Sequence, residues 1–308
     1  MGVPAAAPRL TVVIATYNRA AYLSLALESV LSQSFSDIEV RVVDDATTDS
    51  TPAVVAAVRD PRVSYVRQER NQGWLANCNR GLEGIETPYV MLLGDDDVMA
   101  PGALERAVHA LDTQPGVGLV HGALNVIDGE GRLVVAGTNW AGVPSCDALE
   151  TGPQFIRRSV RLGCRVCAAT AVMRTHLLPP VPFLPEDGPA ADLGLWLRIA
   201  LRAHVLFLGT PAVNYRVHAG SDSATWSIVA GSHYVESPEL ITILRDMKLR
   251  FIDANAAMLE DPTAMRATAR WVALRAHLLR ALGPSTIVAA RAARAKAFPR
   301  RRADVAPD

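Results

Sequence analysis

The stretch LTVVIATYNRAAYLSLALESVLSQSFSDIEVRVVDD, residues 10–45, decides the fold. Its opening run, Leu10 to Ala15, is apolar and rich in β-branched residues without alternation, which is the pattern of a strand buried on both faces. TYNRAAYL interrupts that run, and Leu23, Leu27, Val30 and Leu31 then recur at helical spacing across residues 22–33. IEVRVVDD, residues 38–45, is the next strand. The alternation continues: a helix over 50–60 that opens with Ser50, Thr51 and Pro52, a strand over 62–68, a glycine turn and helix over 71–85, a strand over 88–94 and a helix over 101–111. Four strands alternating with helices predict an α/β fold built on a mostly parallel sheet flanked by helices on both faces.

Ligands of such sheets lie beyond the carboxyl ends of the strands. The chemically unusual residues fall at those ends. Thr16, Tyr17, Asn18 and Arg19 follow the first strand, Asp44 and Asp45 close the second, and Asp95, Asp96 and Asp97 follow the fourth directly after Gly94. Adjacent carboxylates repel, and they are relieved by protonation or by a cation. A hard ion such as Mg²⁺ or Mn²⁺ needs only one or two protein carboxylates when phosphate oxygens and water complete its shell. The triplet therefore suggests a phosphorylated substrate held through a metal. In an extended chain Asp95 and Asp97 share one face and Asp96 takes the other. The competing reading is a solvated acidic turn favouring the start of the helix near Pro101. Asp44 and Asp45 are open in the same way: a carboxylate at a strand end bonds its own turn, or accepts a hydrogen from a base or ribose. No G-x-G-x-x-G follows the first strand and no P-loop sequence occurs, so the dinucleotide and P-loop readings lose their support.

Composition narrows the class. The 308 residues are half apolar and one-fifth charged, with zero net charge. That zero hides an asymmetry: residues 241–308 hold 13 Lys/Arg and 6 Asp/Glu, leaving 18 and 25 in residues 1–240. Lys248 and Lys296 are the lysines; the remaining basic residues are arginine, which argues against a catalytic lysine. The four cysteines, Cys78, Cys146, Cys164 and Cys167, are too few for a disulfide framework. Cys164 and Cys167 form a single C-x-x-C; a zinc site completed by Cys146 and His176 is conceivable, with buried thiols as the alternative. The N-terminal residues lack the pattern of a signal peptide, and no apolar run approaches 18 residues, so a cytoplasmic protein is expected.

Beyond residue 115 the pattern loosens. Strands are expected at VGLVHGALNVID, GRLVVAG, AATAVMRTHLL, HVLFLG and AVNYRVH, with a helix over 147–162 and a strongly amphipathic one over 191–203. From about 235 the chain reads as helical, with Trp271, Leu274, Leu278 and Leu279 forming a stripe, and ends in a polar tail. This divides the chain into 1–115, 116–232 and 233–308.

Three blocks, TVVIATYNRAAYLSLALESVLSQSFSDIEVRVVDDATTDST, NQGWLANCNRGL and YVMLLGDDDVMAPGAL, together resemble a family 2 glycosyltransferase of the GT-A fold. A fourth, ADLGLWLRIALRAHVLFLGTPAVNYRVHAGSDS, residues 191–223, resembles the acceptor half of that family. The resemblance implies an inverting transfer from a nucleotide-diphospho-sugar to an acceptor: a glycan, a lipid-linked saccharide or a small molecule, with no nucleic acid involved. It implies that Thr16, Tyr17 and Asp45 line the nucleoside pocket, with Asn18, Arg19, Asp44, Asn71, Gly73 and Asn79 around the donor. The triplet becomes the D-x-D element, with Asp96 as metal aspartate, Asp97 beside it and Asp95 turned to ribose or sugar. His218 is implied at the metal or diphosphate, Asp192 as the general base with Glu186 and Asp187 as alternatives, and Trp226 on a sugar or nucleoside face. Trp74 and Trp140 are candidates for the acceptor or the core. Cys78 stands where the family commonly carries arginine, which removes one expected phosphate contact. The basic last third is expected either to touch an acidic inner membrane face or to cover the fold with solvated arginines. Two rival functions remain: a nucleotidyltransferase, which needs a glycine-rich basic loop that TYNRA does not supply, and a non-catalytic binding relative.

Overall fold

The computed structural model describes residues 7–138, 146–164, 166–221, 227–230, 233–236 and 238–281. The alternating first third folds as its periodicity dictates: β1 (Leu10–Thr16), α1 (Ala20–Leu31), β2 (Ile38–Asp44), α2 (Thr51–Ala57), β3 (Val63–Arg67), α3 (Trp74–Leu82), β4 (Tyr89–Gly94) and, after the triplet, the short β5 (Val98–Met99) and α4 (Ala103–Thr113). Then come β6 (Val117–Ile127), β7 (Leu133–Thr138), β8 (Ala148–Glu150), α5 (Gly152–Leu162), β9 (Val172–Arg174), a 3₁₀ turn at Pro185–Ala190, α6 (Ala191–Ala200), β10 (His204–Arg216), a hairpin of β11 (Ser227–Ala230) and β12 (His233–Glu236), α7 (Pro238–Ala254) and α8 (Pro262–Ala281).

The main sheet runs β3-β2-β1-β4-β9-β6-β10-β5. β1 is parallel to both neighbours, so Thr16 lies beside Asp44 and Ala15 beside Gly94. Chain order reverses at β1, and this switch point opens a crevice at the carboxyl ends. Antiparallel β9 is inserted between β4 and β6, which makes the sheet mixed. Each face carries its own apolar layer. Leu10, Val12 and Ile14 pack with α1 and α4, while Val13, Val43 and Leu92 pack with α3, α5 and α6. Alternation along strands buried on both sides is what makes β1 read as a continuous apolar run.

Several boundaries depart from the sequence reading. The helix expected over 147–162 starts only at Gly152, because Thr151 and Gln154 form a reciprocal capping box after the short β8. The strand expected over 168–178 shrinks to β9 between two 3₁₀ turns. The two strands expected around Pro211 are one, with register shifts there that let β10 continue. In the C-terminal helices, α8 turns Met265, Ala269 and Ala273 inward, while Trp271 and Leu274 are exposed. The helical segment therefore covers α5 and the Pro185–Ala190 turn, and part of the expected stripe faces out. Among the described residues no helix is long and apolar enough to cross a membrane.

Gly152 shows how tightly α5 meets α6: a Cβ there would lie 1.9 Å from the Ala200 carbonyl oxygen and 2.9 Å from that of Ala203. Backbone cannot yield cheaply, so the usual gain from replacing a helical glycine is outweighed. Gly152→Ala is expected to destabilise the protein by about 1–3 kcal/mol, seen as a lower urea midpoint at unchanged m-value.

Candidate active site at the β1 switch point

The triplet sits at the end of β4 and is almost wholly withdrawn from water: Asp95, Asp96 and Asp97 are 3 %, 9 % and 2 % exposed. Buried carboxylates demand partners, and distant segments supply them. Arg19 precedes α1 and reaches across with one guanidinium nitrogen, 3.0 Å from Asp95 Oδ1 and 3.1 Å from Asp96 Oδ2. Its other terminal nitrogen donates to the Gly220 carbonyl at 2.7 Å.

Arg216 and His218 arrive by register. β5 pairs antiparallel with β10, Val98 opposite Asn214, so the chain two residues further along β10 returns to Asp96. The Arg216 amide donates to Asp97 Oδ1 at 2.8 Å and its Nε donates to the Asp96 carbonyl at 2.8 Å. The remainder of this guanidinium binds the Asp128 and Gly129 carbonyls and lies 4.8 Å from the Tyr22 ring centre. The Gly220 amide donates to His218 Nδ1 at 3.2 Å, which leaves the ring proton on Nε2, 3.0 Å from Asp96 Oδ2.

Burial pushes the Asp95 carboxyl up to about 6, opposed by Arg19 and reinforced by Asp96. Asp97 is raised well above the ordinary carboxylate range, by burial first and then by Asp96. Such acids are relieved by a cation. Gly94 lets the carboxylates fold back over the end of β4: a Cβ there would lie 2.8 Å from Asp97 Oδ2 and 2.9 Å from Asp96 Oδ1, so only glycine admits both oxygens so close to the strand. Among the described residues no three His, Cys, Asp or Glu side chains form a ready cage. An Mg²⁺ or Mn²⁺ site completed by phosphate and water does not require one. The oxygens of Asp96 and Asp97 suit such an ion; His218 bonds Asp96 Oδ2 and would reach the ion only by giving up its Nε2 proton.

Other predicted donor residues stand around the same edge, several already engaged. Thr16 is buried and Tyr17 is exposed. Asn18 adopts a left-handed φ of 53° and its side-chain oxygen accepts from the Thr48 amide at 2.7 Å, tying the β1 loop to the β2 loop. Asp44 accepts from the Thr47 amide and the Tyr65 hydroxyl, so it braces its own loop. Asp45 accepts from the Gln72 and Gly73 amides at 2.8 and 2.9 Å, and Asn71 also accepts from Gly73. Gly73, at φ 87°, begins α3 from that clamp.

Asn79 has a structural task. Its amide donates to the Phe183 carbonyl at 2.8 Å and accepts from the Phe183 amide at 2.9 Å, joining α3 to the segment before α6. Trp74 packs its ring 5.6 Å from that of Phe183 and remains exposed on its other side. Cys78 is core. Trp140 and Trp226 lie outside the described residues.

Asp192 lies in the first turn of α6, partly open to solvent. Its Oδ1 accepts from the Leu193 amide at 2.6 Å, and burial lifts the carboxyl to about 6. Of the alternatives, Asp187 is locked by Arg250 at 2.8 Å, and the same arginine holds the Glu186 carbonyl. The zinc reading fails: Cys164 faces Asp192, and among the described residues no metal-binding group forms around the cysteines. Arg216, which bonds the triplet, is the residue that sequence reasoning missed: it lies inside the fourth block without a role of its own, and the β5–β10 register is what sets it against Asp96.

The profile described as Glycosyl transferase family 2 matches residues 11–169, just over half the chain. The chain belongs to glycosyl transferase family 2. Within this family, the succinoglycan biosynthesis protein ExoO of Rhizobium meliloti (strain 1021) is 37% identical over 125 residues, 41% of this chain and 36% of the relative. The GalNAc(5)-diNAcBac-PP-undecaprenol beta-1,3-glucosyltransferase of Campylobacter jejuni is 38% identical over 100 residues, 32% of each chain. The match thus spans about a third of these curated relatives' length. Residues 1–349 of S. aureus TarS, in complex with UDP-GlcNAc, superpose with a TM-score of 0.60 at 21% identity, covering 79% of this chain and 66% of TarS. The mannosyltransferase PcManGT of Pyrobaculum calidifontis, with GDP-Man and Mn²⁺, gives 0.56 at 21% identity over 95% and 81%. These likenesses show a shared GT-A fold.

The raised Asp192 pKa has a sign that can be worked out. Folded at about 6 against 3.8 for the free group, this acid holds its proton more tightly when folded, so its contribution favours folding at low pH and is lost as pH rises through 6. Asp192→Asn is therefore expected to stabilise the protein by on the order of 1–2 kcal/mol at pH 8, the gain vanishing below pH 4 in urea titrations.

Proposed function

We propose that the protein transfers a sugar from a nucleotide-diphospho-sugar to an acceptor hydroxyl by one inverting displacement. The observation that supports it best is the convergence of the buried triplet, Arg19 and His218 at the β1 switch point, where a sheet of this kind binds its ligand. In this reading residues 1–115 hold the donor, 116–232 hold the acceptor and base, and 233–308 form the helical cover. Tyr17, Thr16 and the Asp45–Gly73 clamp border the nucleoside, and Asp95 meets ribose or sugar. A divalent ion, Mg²⁺ or Mn²⁺, held by Asp96 with Asp97 and His218 beside it, would supply electrostatic stabilisation to the departing diphosphate.

Asp192 performs the proton chemistry. A hydroxyl is a weak nucleophile until its proton has a destination, and a positioned carboxylate contributes roughly 10²–10⁴-fold. A pKa near 6 leaves Asp192 ionised at neutral pH yet more basic than an ordinary aspartate. Its Oδ1 is fixed by a backbone amide, so Oδ2 is the oxygen that takes the proton. Attack from this side with departure toward the triplet inverts the anomeric centre.

A glycan or lipid-linked acceptor fits the names of the relatives, one of which acts on a diphospho-undecaprenol saccharide. The outward Trp271 and Leu274 of α8, with the excess of arginine in the last third, support peripheral contact with an anionic membrane on the cytoplasmic side.

UDP, GDP and dTDP should be compared in a thermal-shift series with and without Mn²⁺. One of them is expected to raise the Tm only when the ion is present, with the shift abolished in Asp96→Ala. With the matching sugar donor, Asp192→Asn is expected to bind normally and to lose at least roughly 10²-fold in transfer rate. Wild-type transfer by Asp192→Asn would overturn the assignment of the base.

A further inference from the structure

We infer that Cys164 is a positioning residue for Asp192, its thiol directing and restraining the carboxylate oxygen that receives the acceptor's proton. This rests on Asp192 being the general base.

The local sequence explains the placement. α5 ends at Gly163, whose φ of 87° turns the chain back onto the start of α6, and the next residue is Cys164. Its Sγ lies 3.8 Å from Asp192 Oδ2 and 3.4 Å from the Val166 carbonyl oxygen. A thiol has one proton, so it can serve one of these acceptors at a time. The other Asp192 oxygen is already fixed by the Leu193 amide. The thiol thus touches the oxygen that remains to do chemistry.

Among the described residues the ionisable groups acting most on Cys164 besides Asp192 are Cys167 and Arg158, and Arg158 is bound by Glu150 through contacts of 2.7–3.0 Å. Burial first, and then Asp192, hold the thiol well above its ordinary pKa, so it stays protonated as a donor. With Asp192 ionised, the S–H points to Oδ2 and keeps the carboxylate in one rotamer. Once Asp192 is protonated, the thiol can turn to the Val166 carbonyl. No bond is made or broken at sulfur, and no redox partner is needed. A weak donor suits this role, since a strong one would lower the basicity that the reaction uses.

The test uses the full chain carrying ¹³C-labelled aspartate, with the Asp192 signal assigned through Asp192→Asn. The Asp192 titration is followed by NMR in wild type, Cys164→Ala and Cys164→Ser. Removing the donor is expected to raise the proton affinity of Asp192 by about three- to tenfold, half to one pH unit, and serine is expected to return it to or below the wild-type position. The acid limb of kcat/KM against pH, measured with the donor class found by thermal shift, should move by the same amount in Cys164→Ala. An unchanged Asp192 titration in Cys164→Ala, with the fold intact by circular dichroism, would overturn the inference. Full transfer activity in Asp192→Asn would instead overturn the base assignment while leaving the titration result standing, so the two failures are separable.

Discussion

Three neighbouring carboxylates cannot be buried at a strand end unless positive charge and donors reach them from elsewhere in the chain. Here the partners come from the loop after β1 and from the end of β10, so the site exists only when the two halves of the sheet are assembled. Arg19 touches two of the acids and the Gly220 carbonyl together, joining segments about 200 residues apart. Arg216 works by a different route, through its backbone amide and a main-chain carbonyl. The first arrangement neutralises; the second sets the turn. Burial still pushes the Asp95 and Asp97 carboxyls upward, against Arg19 at the first and the Arg216 amide at the second.

The second carboxylate centre is built on different terms. Among the described residues Asp192 has no arginine or lysine partner; a backbone amide and a thiol bond it. Burial raises its basicity, and a carboxylate held this way costs the fold stability at neutral pH. Stability given up at a reactive group is the usual pattern for such sites.

The fold was legible where local periodicity and burial agree. β1 to α4 read directly, because strands buried on both faces leave continuous apolar runs and their helices carry a single stripe. The triplet was visible as charges without local need, and Asp192 through the family resemblance of the block around it. What could not be read depends on register. Arg216 looks like one arginine among many until the β5–β10 pairing sets it against Asp96, and Cys164 looks like half of a C-x-x-C until Gly163 turns it toward α6. Asn79 shows the converse. Its place in a recognisable block suggested ligand binding, and the tie its amide makes to the backbone of Phe183 could not be read from that block. The start of α5 was legible in the Thr151–Gln154 capping pattern, but the preceding strand obscured it.

The irregularity of β10 near Pro211 carries a further consequence. Because side chains alternate across a strand, a single-residue insertion or deletion between Pro211 and Arg216 would exchange inward and outward positions and send Tyr215 or Val217 toward the acids. The Asp128–Gly131 turn is tied to the same point, because two of its carbonyls hold the Arg216 guanidinium. Lineages of this chain should therefore keep their length along both stretches, since the two meet the triplet through Arg216.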